Sequence, residues 1–112
     1  MKISVYANQC KREKIQDLLK QHTDQLVFYE DYDTFISEIP TAGSQVLIVA
    51  RDGAEGMESV RAAKILLPRT PVIWFSDDNG FGPESYRVGC NYFSAQPLSE
   101  EILEKAMKRC ER

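Results

Sequence analysis

Residues 44–57 read SQVLIVARDGAEGM, and the first half of that stretch decides the architecture. Val46 to Ala50 are five apolar residues in a row with no polar alternation. A β-branched run of that kind suits a strand buried on both faces, which belongs in the middle of a parallel sheet rather than at its edge. The run ends on Ala50. In many α/β proteins the residue where such a strand meets its loop carries a reactive carboxylate, and here the nearest acid, Asp52, comes two residues late.

Working outward, strand and helix patterns alternate along the whole chain. Ile3 to Ala7 reads as a first strand, and in the segment that follows Ile15, Leu18, Leu19 and His22 fall at i, i+3, i+4 and i+7, one face of a helix starting near Cys10. Leu26 to Tyr29 reads as a second strand. Asp33 is placed to cap a helix that buries Phe35, Ile36 and Ile39, with Pro40 ending it. Beyond the central strand, a helix from about Met57 to Leu67 turns Val60, Ala63 and Leu67 inward, and Pro68 and Pro71 frame a strand from Val72 to Phe75. A short fourth helix over about 82–88 leads to a strand from Tyr92 to Ala95. Ser99 then caps the last helix, in which Glu100 and Glu101 suit the positive N-terminus and Ile102, Leu103, Ala106, Met107 and Cys110 form the packing stripe.

Five strands alternating with five helices through short connections predict one α/β domain spanning 1–112, built on a doubly wound parallel sheet. The economical strand order is the flavodoxin-like 2-1-3-4-5. In that arrangement function sits in the crevice at the carboxyl ends of the strands, near the first and third. The candidates there are Ala7, Asn8, Ala50, Arg51, Asp52, Ser76, Asp77, Asp78, Ala95, Gln96 and Pro97.

Composition narrows the function. The 112 residues carry 14 basic and 17 acidic side chains, a formal net charge of -3, with no one-signed block, so no basic face argues for direct contact with nucleic acid. No apolar run approaches the roughly 18 residues of a membrane span, and MKISVYANQ lacks the apolar core of a secretory leader, which makes the cytoplasm the expected compartment. Cys10, Cys90 and Cys110 fit neither a CxxC pair nor a disulfide framework and read as reduced thiols. Cys10 and Cys110 belong at opposite ends of the fold. His22, the only histidine, reads as a packing or surface residue near a helix C-terminus. No glycine-rich phosphate loop follows the first strand, so a small-molecule site in the crevice has no motif behind it.

Three segments carry a family likeness. PVIWFSDD resembles the fourth strand of response-regulator receiver domains, the CheY-like family, which ends in a Ser or Thr. YFSAQPLSEEIL resembles the family's fifth strand, Lys-Pro step and fifth helix, and FGPESYRVGCNYF is similar to the fourth helix of receivers that precede LytTR DNA-binding domains. The resemblance implies two-component signalling: an aspartate at the end of the third strand takes a phosphoryl group, assisted by Mg2+ on acids after the first strand and by a Ser/Thr and a Lys. On this sequence the acidic pair maps to Ala7 and Asn8, the acceptor to Ala50 and the lysine to Gln96, followed by Pro97. Only the hydroxyl survives, as Ser76.

These losses make joint sense. A lysine in a crevice without carboxylates would be a partly desolvated cation with no partner, so a neutral Gln96 belongs with Ala7, Asn8 and Ala50. Mg2+ needs hard oxygen ligands, and a methyl group cannot accept a phosphoryl group. The expectation is a degenerate receiver, or pseudoreceiver, with no catalytic residues, metal or cofactor, acting through protein contacts. Its partner is another protein or a second copy, met through helix four, strand five and helix five, where Tyr86, Tyr92 and Phe93 lie and where Phe93 takes the place of the family's switch aromatic. Two alternatives stay open. Asp52, with Asp77 or Asp78 and Ser76, could form a displaced Mg2+-dependent acceptor site, although a two-residue shift moves the chain by several ångströms; or the neutral crevice could hold a small molecule. The resemblance also implies either a stand-alone receiver or one that continues into an output domain.

Overall fold

A computed structural model of the chain describes residues 1–76, 85, 87–95 and 98–110. In chain order the elements are β1 (Lys2–Ala7), α1 (Gln9–Leu19), β2 (Gln25–Tyr29), α2 (Tyr32–Ala42), β3 (Val46–Ala50), α3 (Gly53–Leu66), β4 (Val72–Phe75), β5 (Tyr92–Ser94) and α4 (Glu100–Cys110). The five strands pair in parallel in the order β2-β1-β3-β4-β5, as the patterning implies. Every residue of β3 is buried, because strands flank it on both sides and helices cover both faces.

Alternation along the strands divides the core in two. Val5, Ile48 and Ile73 point to one face and meet Ile15 and Leu19 of α1 and Leu103 and Ala106 of α4. Tyr6, Leu47, Val49 and Trp74 point to the other and meet Phe35 and Ile39 of α2 and Val60 and Ala63 of α3. On that second face the Tyr6 and Phe35 rings stack 5.0 Å apart at 14°, and Trp74 meets Phe93 of β5 edge to face at 4.9 Å. Trp74 and Phe75 are core residues, as expected of a buried strand.

Several element boundaries differ from the sequence reading. The cap of α2 is Asp31 rather than Asp33, its carboxylate accepting from the Thr34 amide at 2.9 Å, so the helix starts earlier. Pro40 lies inside α2 instead of ending it: in the last turn a proline removes a single backbone hydrogen bond, and the helix runs on to Gly43, whose φ of +72° makes the left-handed cap. The start of α3 is Gly53, ahead of Met57, and α1 stops at Leu19, leaving His22 in the following turn, where its amide donates to the Leu19 carbonyl at 2.8 Å. Ser99 does cap α4, its hydroxyl accepting from the Ile102 amide at 3.3 Å. Four helices stand among the described residues; the expected short helix over 82–88 lies mostly outside them.

The foot of the β4–β5 pair is fastened by polar groups. Asn91 donates its amide to the Val72 carbonyl at 2.9 Å and accepts from the Val72 amide at 2.9 Å, so its side chain extends the ladder beyond β5. Beside it the buried Cys90 thiol donates to the Tyr92 carbonyl at 2.8 Å. All three cysteines are free thiols. Burial pushes the Cys90 thiol up from 9.0 to about 11. The folded chain therefore keeps this proton at a pH where the unfolded chain has lost it, and the associated stability is intact below pH 9 and lost as pH rises toward 11. The urea midpoint is expected to fall over that range, with a shallower fall in Cys90→Ala. A slope identical in the variant would contradict this assignment.

Candidate functional site

The strand register sets the floor of the crevice. Ala7 and Ala50 are direct partners across the β1–β3 ladder and both are buried, so two methyl groups lie side by side where the strands end. Asn8 follows as the cap of α1, its side-chain oxygen accepting from the Lys11 amide at 3.1 Å. Ser76 follows β4; it is buried, and its amide donates to the Ser94 carbonyl at 3.0 Å, closing β4 onto β5. Gln96 and Pro97, Asp77 and Asp78, and Tyr86 lie outside the described residues.

Charge gathers at the mouth rather than on the floor. Lys11 Nζ lies 3.2 Å from Asp52 Oδ1, joining the first turn of α1 to the β3–α3 loop, and the Asp52 side chain keeps 46% of its exposure. Arg51 turns the other way. Its guanidinium sits 4.5 Å above the Tyr6 ring, donates to the Glu30 carbonyl at 2.5 Å and lies 3.6 Å from Glu55. Tyr6 in turn donates its hydroxyl to the same Glu55 oxygen at 3.0 Å. Burial, reinforced by that acceptor and opposed by Arg51, pushes the Tyr6 hydroxyl up to about 12, which keeps it a donor at any physiological pH.

The backbone of the same loop is held from below. The Trp74 indole donates to the Arg51 carbonyl at 2.8 Å from a side chain buried under α3. Gly53 opens α3 with φ +62°, and Gly56 lies against that hydrogen bond: a Cβ there would collide with the Arg51 carbonyl oxygen and come within 2.5 Å of Trp74 Nε1. The two glycines of the DGAEG segment thus serve separate needs, one conformational and one steric.

No protein-family model matches the chain, and no curated protein matches it in sequence. Solved structures do match it. The signal receiver domain of a two-component response regulator from Bacteroides fragilis superposes with a TM-score of 0.83 at 16% identity, over 98% of this chain and 95% of that one. The chemotaxis protein CheY4 of Vibrio cholerae gives 0.79 at 17%, over 97% and 96%. The fold is that of receiver domains. A third such structure, the receiver domain of a sensor histidine kinase from Pseudomonas aeruginosa, gives 0.80 at 14% identity over 96% of this chain and 94% of that one, and holds a magnesium ion in its active-site cleft.

The described residues of this receiver fold do not fit such an ion. Two methyl groups offer no ligand, the Asn8 oxygen is turned to its own helix, and Asp52 in the β3–α3 loop is paired with Lys11. No cluster of three metal-ligating side chains occurs among the described residues. On the β5 side, Tyr92 and Phe93 are half-buried and pack on opposite core layers. Of the first-strand, third-strand and fourth-strand candidates, Ala7, Asn8, Ala50, Asp52 and Ser76 do come together at one end of the sheet. The contacts of Lys11 with Asp52, of Tyr6 with Glu55 and of the Trp74 indole with Arg51 had no sequence signal, because each joins residues at least 23 apart.

Gly56→Ala is expected to break the Trp74–Arg51 contact and cost about 1–3 kcal/mol, the usual range for forcing extra volume into a packed site. Urea denaturation measures it. A cost no larger than that of an exposed glycine replacement would show that the loop gives way freely.

Proposed function

We propose that this chain is a pseudoreceiver: a signalling module of the response-regulator type, of the kind that precedes LytTR domains, which works in the cytoplasm through protein contacts without aspartyl phosphorylation and without catalysis of its own. One observation carries this reading, the Ala50 methyl at the end of the central strand, packed beside the Ala7 methyl where phosphoryl transfer needs an acceptor and Mg2+ needs carboxylates. Asp52 is a poor substitute. It comes two residues beyond the end of β3, in the loop, where it pairs with Lys11 at 3.2 Å.

The partner, another protein or a second copy, binds through segment 82–88, β5 and α4. The outer positions of α4, Glu100, Glu101, Glu104, Lys105, Lys108 and Arg109, are exposed and charged, a surface suited to selective, salt-dependent contact. Tyr92 packs on the core layer that α4 covers, whereas Phe93 packs on the opposite layer against Trp74.

Incubation with acetyl phosphate and Mg2+, followed by intact mass measurement, is expected to leave the mass unchanged. A phosphoryl gain that disappears in Asp52→Asn would replace this reading with a displaced acceptor site.

A further inference from the structure

The β3–α3 loop is fastened from three directions. From above, Arg51 reaches across the end of β1 to the loop after β2, stacking on Tyr6, donating to the Glu30 carbonyl and pairing with Glu55. From the side, Lys11 holds Asp52. From below, the Trp74 indole holds the Arg51 carbonyl, with Gly56 leaving no free space around that bond. The Arg51 side chain keeps only 18% of its exposure, and its Nε is buried without a hydrogen-bond partner among the described residues. A buried, unsatisfied donor is a cost that the other contacts of the guanidinium must outweigh.

We infer that Arg51 is a clamp: it holds the β3–α3 loop against β1 and the β2–α2 connection, so this loop stays in one conformation. Four groups meet the guanidinium or its neighbour, namely the Tyr6 ring, the Glu30 carbonyl, the Glu55 carboxylate and, through Glu55, the Tyr6 hydroxyl. Charge-assisted hydrogen bonds and ring stacking favour arginine over lysine at such a site, since only the planar fork satisfies both kinds of contact at once. The inference adds to the reading above and does not depend on it. A chain that accepted phosphate at Asp52 could still be clamped at Arg51, and a silent crevice could still have a loose loop.

The chain contains a single tryptophan, so its indole proton is a resolved reporter bonded directly to the clamped loop. Hydrogen exchange of that proton is compared with exchange of the Ile48 amide in the middle of β3. In Arg51→Ala the indole exchange is expected to accelerate by about 10- to 100-fold, the loss of one charged hydrogen bond read as a local opening constant, while Ile48 keeps its rate. Arg51→Lys should fall between the two. Equal acceleration at both probes would make Arg51 an ordinary contributor to global stability, and no acceleration at either would mean that the loop does not need it; both outcomes overturn the clamp. If Arg51→Ala fails to fold, Glu55→Gln, which keeps an acceptor for Tyr6 but removes the charge beside Arg51, is expected to accelerate the indole alone by a smaller factor, and an unchanged indole rate there would also overturn it.

Discussion

The burial of β3 is the constraint from which the other features follow. A five-residue strand with no polar side chain can only be the centre of a sheet, and its pairing with β1 puts Ala50 opposite Ala7. That register brings the β1–α1 and β3–α3 loops out side by side, above a floor made of methyl groups. Everything chemical at this end of the molecule must then come from the loops rather than from the strands.

Among the described residues, what the β1–α1 and β3–α3 loops supply is a set of paired charges. Lys11 and Asp52 join α1 to the β3–α3 loop, while Arg51, Glu55 and Tyr6 join the same loop to β1. Both pairs are partly exposed, so each is a modest contributor to stability, and their effect is to fix positions more than to add energy. The Trp74 indole carries that fixing down into the core and, through its contact with Phe93, as far as β5. Among the described residues, the β3–α3 side of the crevice is thus held by ion pairs, ring stacking and an indole hydrogen bond.

The sheet was legible in the sequence because its signals are local. Val46 to Ala50 and Val72 to Phe75 are unbroken apolar runs, and strand order followed from alternation with helices, which placed Ala7, Asn8, Ala50, Asp52 and Ser76 at one end. The start of α3 was not legible. DGAEG reads as a turn because glycine is a poor helix former, and only the tertiary fit of Gly56 against the Arg51 carbonyl explains why helix wins there. Asp31 and Asp33 are equivalent caps by residue type, and the choice between them rests on which one reaches the Thr34 amide. The course of the Arg51 side chain was mostly hidden: Glu55 stands at the i+4 spacing of a helical ion pair, but the partners at 6 and 30 share no periodicity with it.

The central claim is that the crevice at the strand ends is chemically neutral and has no use for a divalent cation. The most direct test is a titration of the isotopically labelled protein with millimolar Mg2+, following the backbone amide resonances of Ala7, Asn8 and Ala50. Unmoved resonances are the outcome this account requires. A saturable shift at those three positions, reversed by a chelator, would contradict it and return the crevice to the class of metal-dependent receivers.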